Sequence, residues 1–287
     1  MGTVITAETS VQELTEKMVG RPVSLSIRRE EQEAGGKLLD VHDLSVTGED
    51  GVRRLEKVSF TLHGGEILGV CGVAGSGQKE LCEAIAGLQK AEAGSILLEG
   101  QRVDGLSPRE IIRKGISLSF IPEDRLGMGL VGPMDMVDNM MIRSYRKGSS
   151  FWADRKNPRT LAERIIKELE VSTPGVSTPV GKLSGGNVQK VLVGREIASS
   201  PIVLMVAYPV RGLDINSSYT IYNLLNEQKK RGVSVLCVGE DLDVLLALCD
   251  RILVLCDGKV SGIVDARTAT KEQIGLMMTH SEKGGRA

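Results

Sequence analysis

The chain of 287 residues is 41% hydrophobic and 25% charged, enough to bury a sizeable core and ordinary for a globular protein. Lys plus Arg number 36 against 37 Asp plus Glu, and a formal charge of -1 offers no general basic field for nucleic acid or anionic lipid. No run approaches the roughly 18 apolar residues of a membrane span, residues 1–30 lack the apolar stretch of a signal peptide, and the cysteines, without a CxxC pair, read as buried reduced thiols of a cytosolic chain.

Taken in chain order, residues 1–36 are polar and close on a charged, glycine-containing stretch from Arg28 to Gly36, which reads as a linker. Ahead of it, Ser10 to Met18 is a short helix candidate with Leu14 and Met18 on one face. Thr270 to Met278 repeats its pattern of hydroxyl, aliphatic and Met at an offset of 260 residues (270 minus 10), about one domain length. That repeat predicts that the chain opens with the tail of a preceding homologous domain. Amphipathic helices resemble one another, so a chance match is the alternative reading.

Leu38 to Val46 and Val58 to Leu62 alternate like half-buried strands, Glu66 to Cys71 is an apolar strand running into glycines, and Ile96 to Leu98 is another short strand. From Leu126 to about Ser184 the pattern is helix and loop. There Asn157 and Pro158 serve as cap and first turn ahead of Leu161, Ile165, Ile166 and Leu169 on one face. Ile202 to Val206, Val233 to Val238 and Arg251 to Leu255 are short buried strands separated by helical patterns. Such alternation predicts a mostly parallel α/β sheet.

Gly72, Gly75, Ser76 and Gly77 follow an apolar strand and precede a helix from Lys79 to Leu88, the setting of a loop whose backbone N–H groups face a phosphate. A tight strand–helix turn is the plain alternative. The pattern Gly-x-x-x-x-Gly-Lys-Ser/Thr would place Lys at 78 and a hydroxyl at 79, but Gln78, Lys79 and Glu80 stand there. Gln78 brings no charge to a phosphate, and Lys79 would repel Mg²⁺ rather than bind it. One lost charge-assisted hydrogen bond costs about 1.5–3 kcal/mol. The loop is therefore a nucleotide-binding candidate with damaged chemistry.

Leu183, Ser184, Gly185, Gly186, Asn187, Gln189 and Lys190 open a helix running to about Ser199, with Ser184 as cap and two glycines baring backbone donors. The segment resembles the signature motif of ATP-binding-cassette (ABC) proteins, and its Asn187 to Lys190 continuation is similar to that of simple-sugar and nucleoside importers. The order of elements around it resembles the same family from Gly36 to Met278.

That resemblance assigns roles, and several positions depart from it. Ala207 and Tyr208 stand where the family has an Asp that supports Mg²⁺ and a Glu that polarises water, and neither offers a carboxylate. Glu240 replaces a His that contacts the γ-phosphate, and none of His42, His63 and His280 lies near it. Glu123, in the stretch Phe120 to Arg125, replaces the Gln of the Q-loop. Its Pro-Glu-Asp-Arg form is similar to second domains of sugar and nucleoside importers. Asp214 matches the D-loop at the dimer interface, a role compatible with capping a helix from Asn216 to Lys230. Asp250, Arg251 and Gly258 match the closing segment, and Met18 to Arg21 resembles the junction after the first cassette of tandem proteins. No aromatic for adenine stands near residues 45–50, and Phe151 and Trp152 read as packing residues.

The resemblance implies an α/β P-loop NTPase of the ABC type, with a mostly parallel core sheet, an antiparallel β segment and a helical subdomain. Residues 1–36 would be tail and linker. The cassette would fill 37–287, with core at 37–118 and 190–265, helical subdomain at about 119–189 and C-terminal tail at 266–287. Ser184, Gly185 and Gly186 would serve ATP held by a partner cassette, expected as the N-terminal half of the same polypeptide. Mg²⁺ would sit at the partner's site, with no metal bound here. A membrane permease reached around Glu123, and indirectly an extracytoplasmic binding protein, would complete an importer on the inner face of the membrane. Two alternatives remain at this stage: a self-sufficient ATPase using Lys79, and a nucleotide-sensing module without a transport role.

Overall fold

The computed structural model describes residues 29–48, 50–113, 118–144 and 154–279, together with a few positions before residue 28. Alternating aliphatic side chains make the first layer. Strand β1 (Lys37–Thr47) pairs antiparallel with β2 (Arg53–His63) on one side and β4 (Ala93–Leu98) on the other, and β5 (Gln101–Arg102) extends that edge. Leu39, Val41, Leu44, Leu55, Val58 and Leu62 turn into a core shared with the first helix. The second strand begins at Arg53 rather than Val58. Its first turn of sequence is polar, but Leu55 and Arg53 still pair with Val46 and Thr47.

The central sheet has the order β10-β9-β3-β8-β7-β6, formed by β3 (Ile67–Gly72), β6 (Leu118–Ile121), β7 (Val203–Ala207), β8 (Ser234–Val238), β9 (Arg251–Cys256) and β10 (Lys259–Asp265). All neighbours are parallel except β10 with β9. Helices cover both faces, so β3, β7, β8 and β9 are near-continuous apolar runs. Two strands of this sheet escape the sequence reading, as does the two-residue β5 of the other. β6 has only four residues, and β10 is a half-exposed edge without an apolar run. Because β6 pairs with β7, the sheet reaches past the boundary at 118 drawn from sequence.

The helices are α1 (Gln78–Ile85), α2 (Pro108–Arg113), α3 (Met136–Met141), α4 (Lys156–Glu168), α5 (Gly185–Ala198), α6 (Ile215–Lys230), α7 (Leu242–Leu248) and α8 (Lys271–Thr279). Helix α1 stops short of Leu88 and begins one residue before Lys79. Helix α4 starts ahead of the expected cap: Asp154 accepts from the Lys156 N–H at 2.8 Å, and Asn157 lies inside the first turn, donating to Asp154 at 2.5 Å. Helix α6 begins at Ile215, one residue before Asn216.

Helices α3, α4 and α5 pack into the helical subdomain. A Cβ on Gly194 would lie 3.0 Å from Ile165, so glycine permits the close crossing of α4 and α5. Beneath them Glu196, 0% exposed, holds Arg143 and Arg195, and Arg195 also donates to the Gly129 carbonyl at 2.7 Å. Helix α8 buries Ile274 in the larger core, so the residues read as a C-terminal tail are docked through Thr279. The N-terminal side is tied as well. Lys229, 0% exposed, donates to Asp250 at 2.7 Å and to the Glu30 carbonyl, while Asp250 accepts from the Ile67 N–H at 2.9 Å.

The five cysteines are buried and unbridged. No helix among the described residues is long and apolar enough to cross a membrane. Most of the Ser10 to Met18 helix candidate, the Met18 to Arg21 junction, Phe151, Trp152 and His280 lie outside the described residues.

Candidate functional site

Strand β3 delivers the chain to Gly72, and α1 opens at Gln78. The turn between them needs glycine for two reasons. Gly75 and Gly77 have φ of 89° and 98°, and a Cβ on Gly77 would meet Leu55 at 2.4 Å and the Arg54 carbonyl at 2.6 Å. Val73, Ala74 and Gly75 face solvent, and the Ser76 N–H closes the loop on the Val73 carbonyl at 3.0 Å. A cradle of backbone donors at a helix start fits a phosphate.

Its side chains do not supply the charge. Gln78 is 4% exposed and folds back on the loop, donating from Nε2 to the Val73 carbonyl at 3.2 Å. The Lys79 side chain is 72% exposed on the outer face of α1, 3.8 Å from Glu83. That geometry weighs against Lys79 serving the loop. Glu80 adds a negative charge to the same first turn, and Glu83 is held above the ordinary carboxylate range by burial, with Lys79 opposing and Glu80 adding.

A second group gathers at the start of α5. Ser184 caps the helix, accepting from the Asn187 N–H at 3.5 Å and from Asn187 Nδ2 at 2.9 Å. Asn187 Oδ1 also accepts from the Ser172 N–H at 3.0 Å, and Gln189 accepts from Arg125 Nε at 2.7 Å. Asn187 and Gln189 are thus engaged inside the chain, and Leu183 packs against the core. The two glycines differ. A Cβ on Gly186 would stand 2.6 Å from Ser217 Oγ, so this glycine lets α5 touch the start of α6. Among the described residues a Cβ on Gly185 would meet only Arg125 Nη1, at 3.4 Å, which is ordinary contact. Asp214 caps α6 through the Ser217 N–H at 3.0 Å and Ser217 Oγ at 2.7 Å, and those bonds, the backbone one foremost, lower its carboxyl below the usual range.

A third group closes the C-terminal ends of β7 and β8. Ala207 is buried, and Tyr208 turns the chain at φ 49°, its N–H bound to the Val238 carbonyl at 2.9 Å. Arg211 lies over the Tyr208 ring at 5.8 Å, pairs with Glu123 and places Nε 4.0 Å from Glu240. Burial pushes the Tyr208 hydroxyl up, Glu123 and Glu240 add to the shift, and Arg211 opposes it. Tyr208 is therefore a neutral phenol beside an arginine, where a general base would have to be a carboxylate or imidazole. A cavity of about 250 Å³ bordered by Tyr208, Arg211, Tyr222, Cys237 and Glu240 opens beside it.

Arg211 and Arg125 are the residues that motif reading passed over. Arg125 only closes the Pro-Glu-Asp-Arg stretch in the sequence, and Arg211 belongs to no motif given above. The available signal was an arginine directly after the acid pair Glu123-Asp124 and another three residues before Asp214. Among the described residues no cluster of three or more His, Cys, Asp or Glu could hold a metal ion, and Lys79 and Ala207 do not fit Mg²⁺.

Comparison with known proteins places this geometry. The ABC transporter family model matches residues 55–209. The glucose import ATP-binding protein TsgD13 of Haloferax volcanii is 37% identical over 97% of this chain and 51% of its own length. The guanosine import ATP-binding protein NupO of Bacillus subtilis is 35% identical over 96% of this chain and 54% of its own length. The ribose import ATP-binding protein RbsA 1 of Rubrobacter xylanophilus is 35% identical, over 97% and 55%. The chain spans about half the length of these curated relatives. Among solved structures, a nucleotide-free ATP-binding cassette from an ABC transporter superposes with TM-score 0.68 at 23% identity, covering 85% of this chain and 95% of that one. The cassette MJ0796 in a post-hydrolysis dimer bound to ADP and Pi gives 0.69 at 23%, covering 81% of this chain and 100% of that one. The core built on β3, β7 and β8 with its glycine turn is the fold of an ABC cassette, and the chain belongs to the ABC transporter family.

Proposed function

We propose that this chain is the degenerate ATP-binding domain of an ABC importer for a simple sugar or nucleoside, and that it completes the ATP site of a second cassette. The carrying observation is a contrast between two helix starts. At α1 the cation is missing, since Gln78 is neutral and Lys79 faces outward. At α5, Ser184 caps an open turn, and among the described residues only the tip of Arg125 would come within 4 Å of a Cβ on Gly185. Packing does not demand glycine at 185, so the demand comes from outside the chain. A γ-phosphate held by a second cassette fits, because donors aimed at developing charge stabilise phosphoryl transfer.

The remaining assignments follow from that reading. Relatives that are import ATP-binding proteins about twice as long support a second, catalytic cassette in the same polypeptide. ATP would be shared with it, with Mg²⁺ at its site, and residues 1–36 would join the two. The loop at Gly72 to Gly77 keeps a weak phosphate cradle. A permease fits the cavity of about 330 Å³ lined by Leu88, Ile111, Phe120, Pro122 and Met128, the residue before Glu123 among them. The external binding protein would act through that permease, and the chain would lie against the inner face of the membrane.

The test is Gly185→Asp in the assembled transporter. A carboxylate beside the γ-phosphate should lower ATP hydrolysis about 10²–10³-fold, with unchanged thermal unfolding. Near-normal hydrolysis in that complex would sink the trans reading, whereas a chain that purifies without any permease would favour a nucleotide-sensing module.

A further inference from the structure

The two arginines between β6 and α6 form one joint. Arg125 follows Glu123 and Asp124 out of β6, and its guanidinium is bound at two corners. Nε donates to Gln189 Oε1 at 2.7 Å, and Nη2 donates to the backbone carbonyl of Arg211. Its third nitrogen is the atom beside Gly185. Gln189 is 1% exposed, so its amide oxygen has no water to turn to. Arg211 reaches back to Glu123, joining the segment that leaves β6 to the loop that leaves β7. That outer pair is solvent-exposed and contributes little by itself. Arg125 is the half-buried member of the joint, held by partial burial below its usual basicity yet charged at any working pH.

Helix α5 meets this joint on one side and α6 on another. Consecutive helical residues point about 100° apart. Gly186 contacts Ser217 of α6, while Gly185 lies beside Arg125. The contact at Ser217 acts as a pivot, and a second fixed point is required to set rotation about it. A planar guanidinium with two bonded corners fixes angle as well as distance, which an ammonium does not.

We propose that Arg125 is a positioning residue for the start of α5: it clamps Gln189 to the loop before Asp214 and thereby fixes the angle at which Ser184, Gly185 and Gly186 face a partner. The clamp concerns this chain's own structure, while its effect on turnover rests on the trans reading above. Because Glu123 and Arg125 belong to one short segment, movement of that segment is passed to α5 without nucleotide in the Gly72 loop.

Two measurements test it. In the intact chain, Arg125→Ala should speed hydrogen exchange at Val188, Gln189 and Lys190 about tenfold, while amides of β3 and β9 keep their protection. In the assembled transporter the same variant should lower kcat about tenfold or more with KM for ATP unchanged, since a misplacement of about 1 Å costs up to about 10² in rate. Arg125→Lys should fail to rescue. Arg125→Ala combined with Gln189→Ala should be no worse than Arg125→Ala alone. Unchanged exchange at Val188 to Lys190 overturns the clamp. So does an unchanged kcat in a complex that Gly185→Asp inactivates. If Gly185→Asp is itself harmless, the trans reading falls and exchange alone decides whether Arg125 holds α5.

Discussion

Gln78 puts a neutral amide where a phosphate-binding loop needs a cation, so only backbone donors and the helix start remain to attract an anion. Calorimetric titration with ADP should give an affinity on the order of millimolar, equal in EDTA and in excess Mg²⁺. Micromolar binding that requires Mg²⁺ would contradict the loop geometry. The buried thiols set a second residue-scale expectation. Burial raises Cys71 and Cys82 from 9.0 to about 12. A raised acid pKa means that the unfolded chain loses these protons first. Stability is therefore full below pH 9 and falls as pH rises from 9 towards 12. Between pH 9 and 10 the loss should reach up to about 1.4 kcal/mol per thiol. Urea unfolding at pH 8 and 10 measures it, and Cys82→Ala should flatten the slope.

Among the elements, α5 buries a polar and charged group beside its aliphatic residues, since Glu196, Arg195 and Gln189 are enclosed along with Val191, Leu192 and Val193. Glu196→Ala would leave Arg195 buried without its carboxylate, a loss of about 3–5 kcal/mol. Hydrogen exchange should show α3 and α4 opening before β3 and β9, because Arg143 ties the end of α3 to Glu196. Uniform loosening of both layers would mean that the cluster supports the whole domain. What could be read from sequence divides along the same physical line. Strands β3, β7, β8 and β9 are apolar but for the Ser234 and Arg251 that open the last two, and a run of that kind has few other places to go. β6 and β10 owe their existence to a neighbour, β7 in one case and β9 in the other. The start of α4 was misplaced because Asp154 caps from two residues outside the helix, where Asn157 and Pro158 carried the familiar local signal.

For the whole molecule, the expectation is that the purified chain turns over no ATP above background. Gln78, Lys79, Ala207, Tyr208 and Glu240 each withhold a different contribution. Mg²⁺-dependent turnover that vanished on Gly77→Asp would contradict it. Those positions were picked out through the resemblance to ABC proteins, because the order of motifs along the chain persists where their residues change. The joint of Arg125, Gln189, Arg211 and Glu123 was not, because its members lie as far as 88 positions apart and meet only after folding. The bond from Lys229 to the Glu30 carbonyl has a geometric consequence of its own. With Gly35 also bonded to Gly64 at 2.8 Å, the stretch from Glu30 to Gly36 is fastened to the core at both ends. Whatever precedes Arg29 is therefore leashed from a fixed anchor beside α6 and not from the start of β1. Seven residues of slack, about 25 Å at full extension, are removed from its reach. A shorter leash keeps its cargo in a smaller volume, so a domain carried there would meet this one at a higher effective concentration. Arg29, bonded to the Leu246 carbonyl, and Glu30, paired with Lys230 at 2.9 Å, share the anchor, so lengthening the leash takes Arg29→Ala and Lys230→Ala together with Lys229→Met.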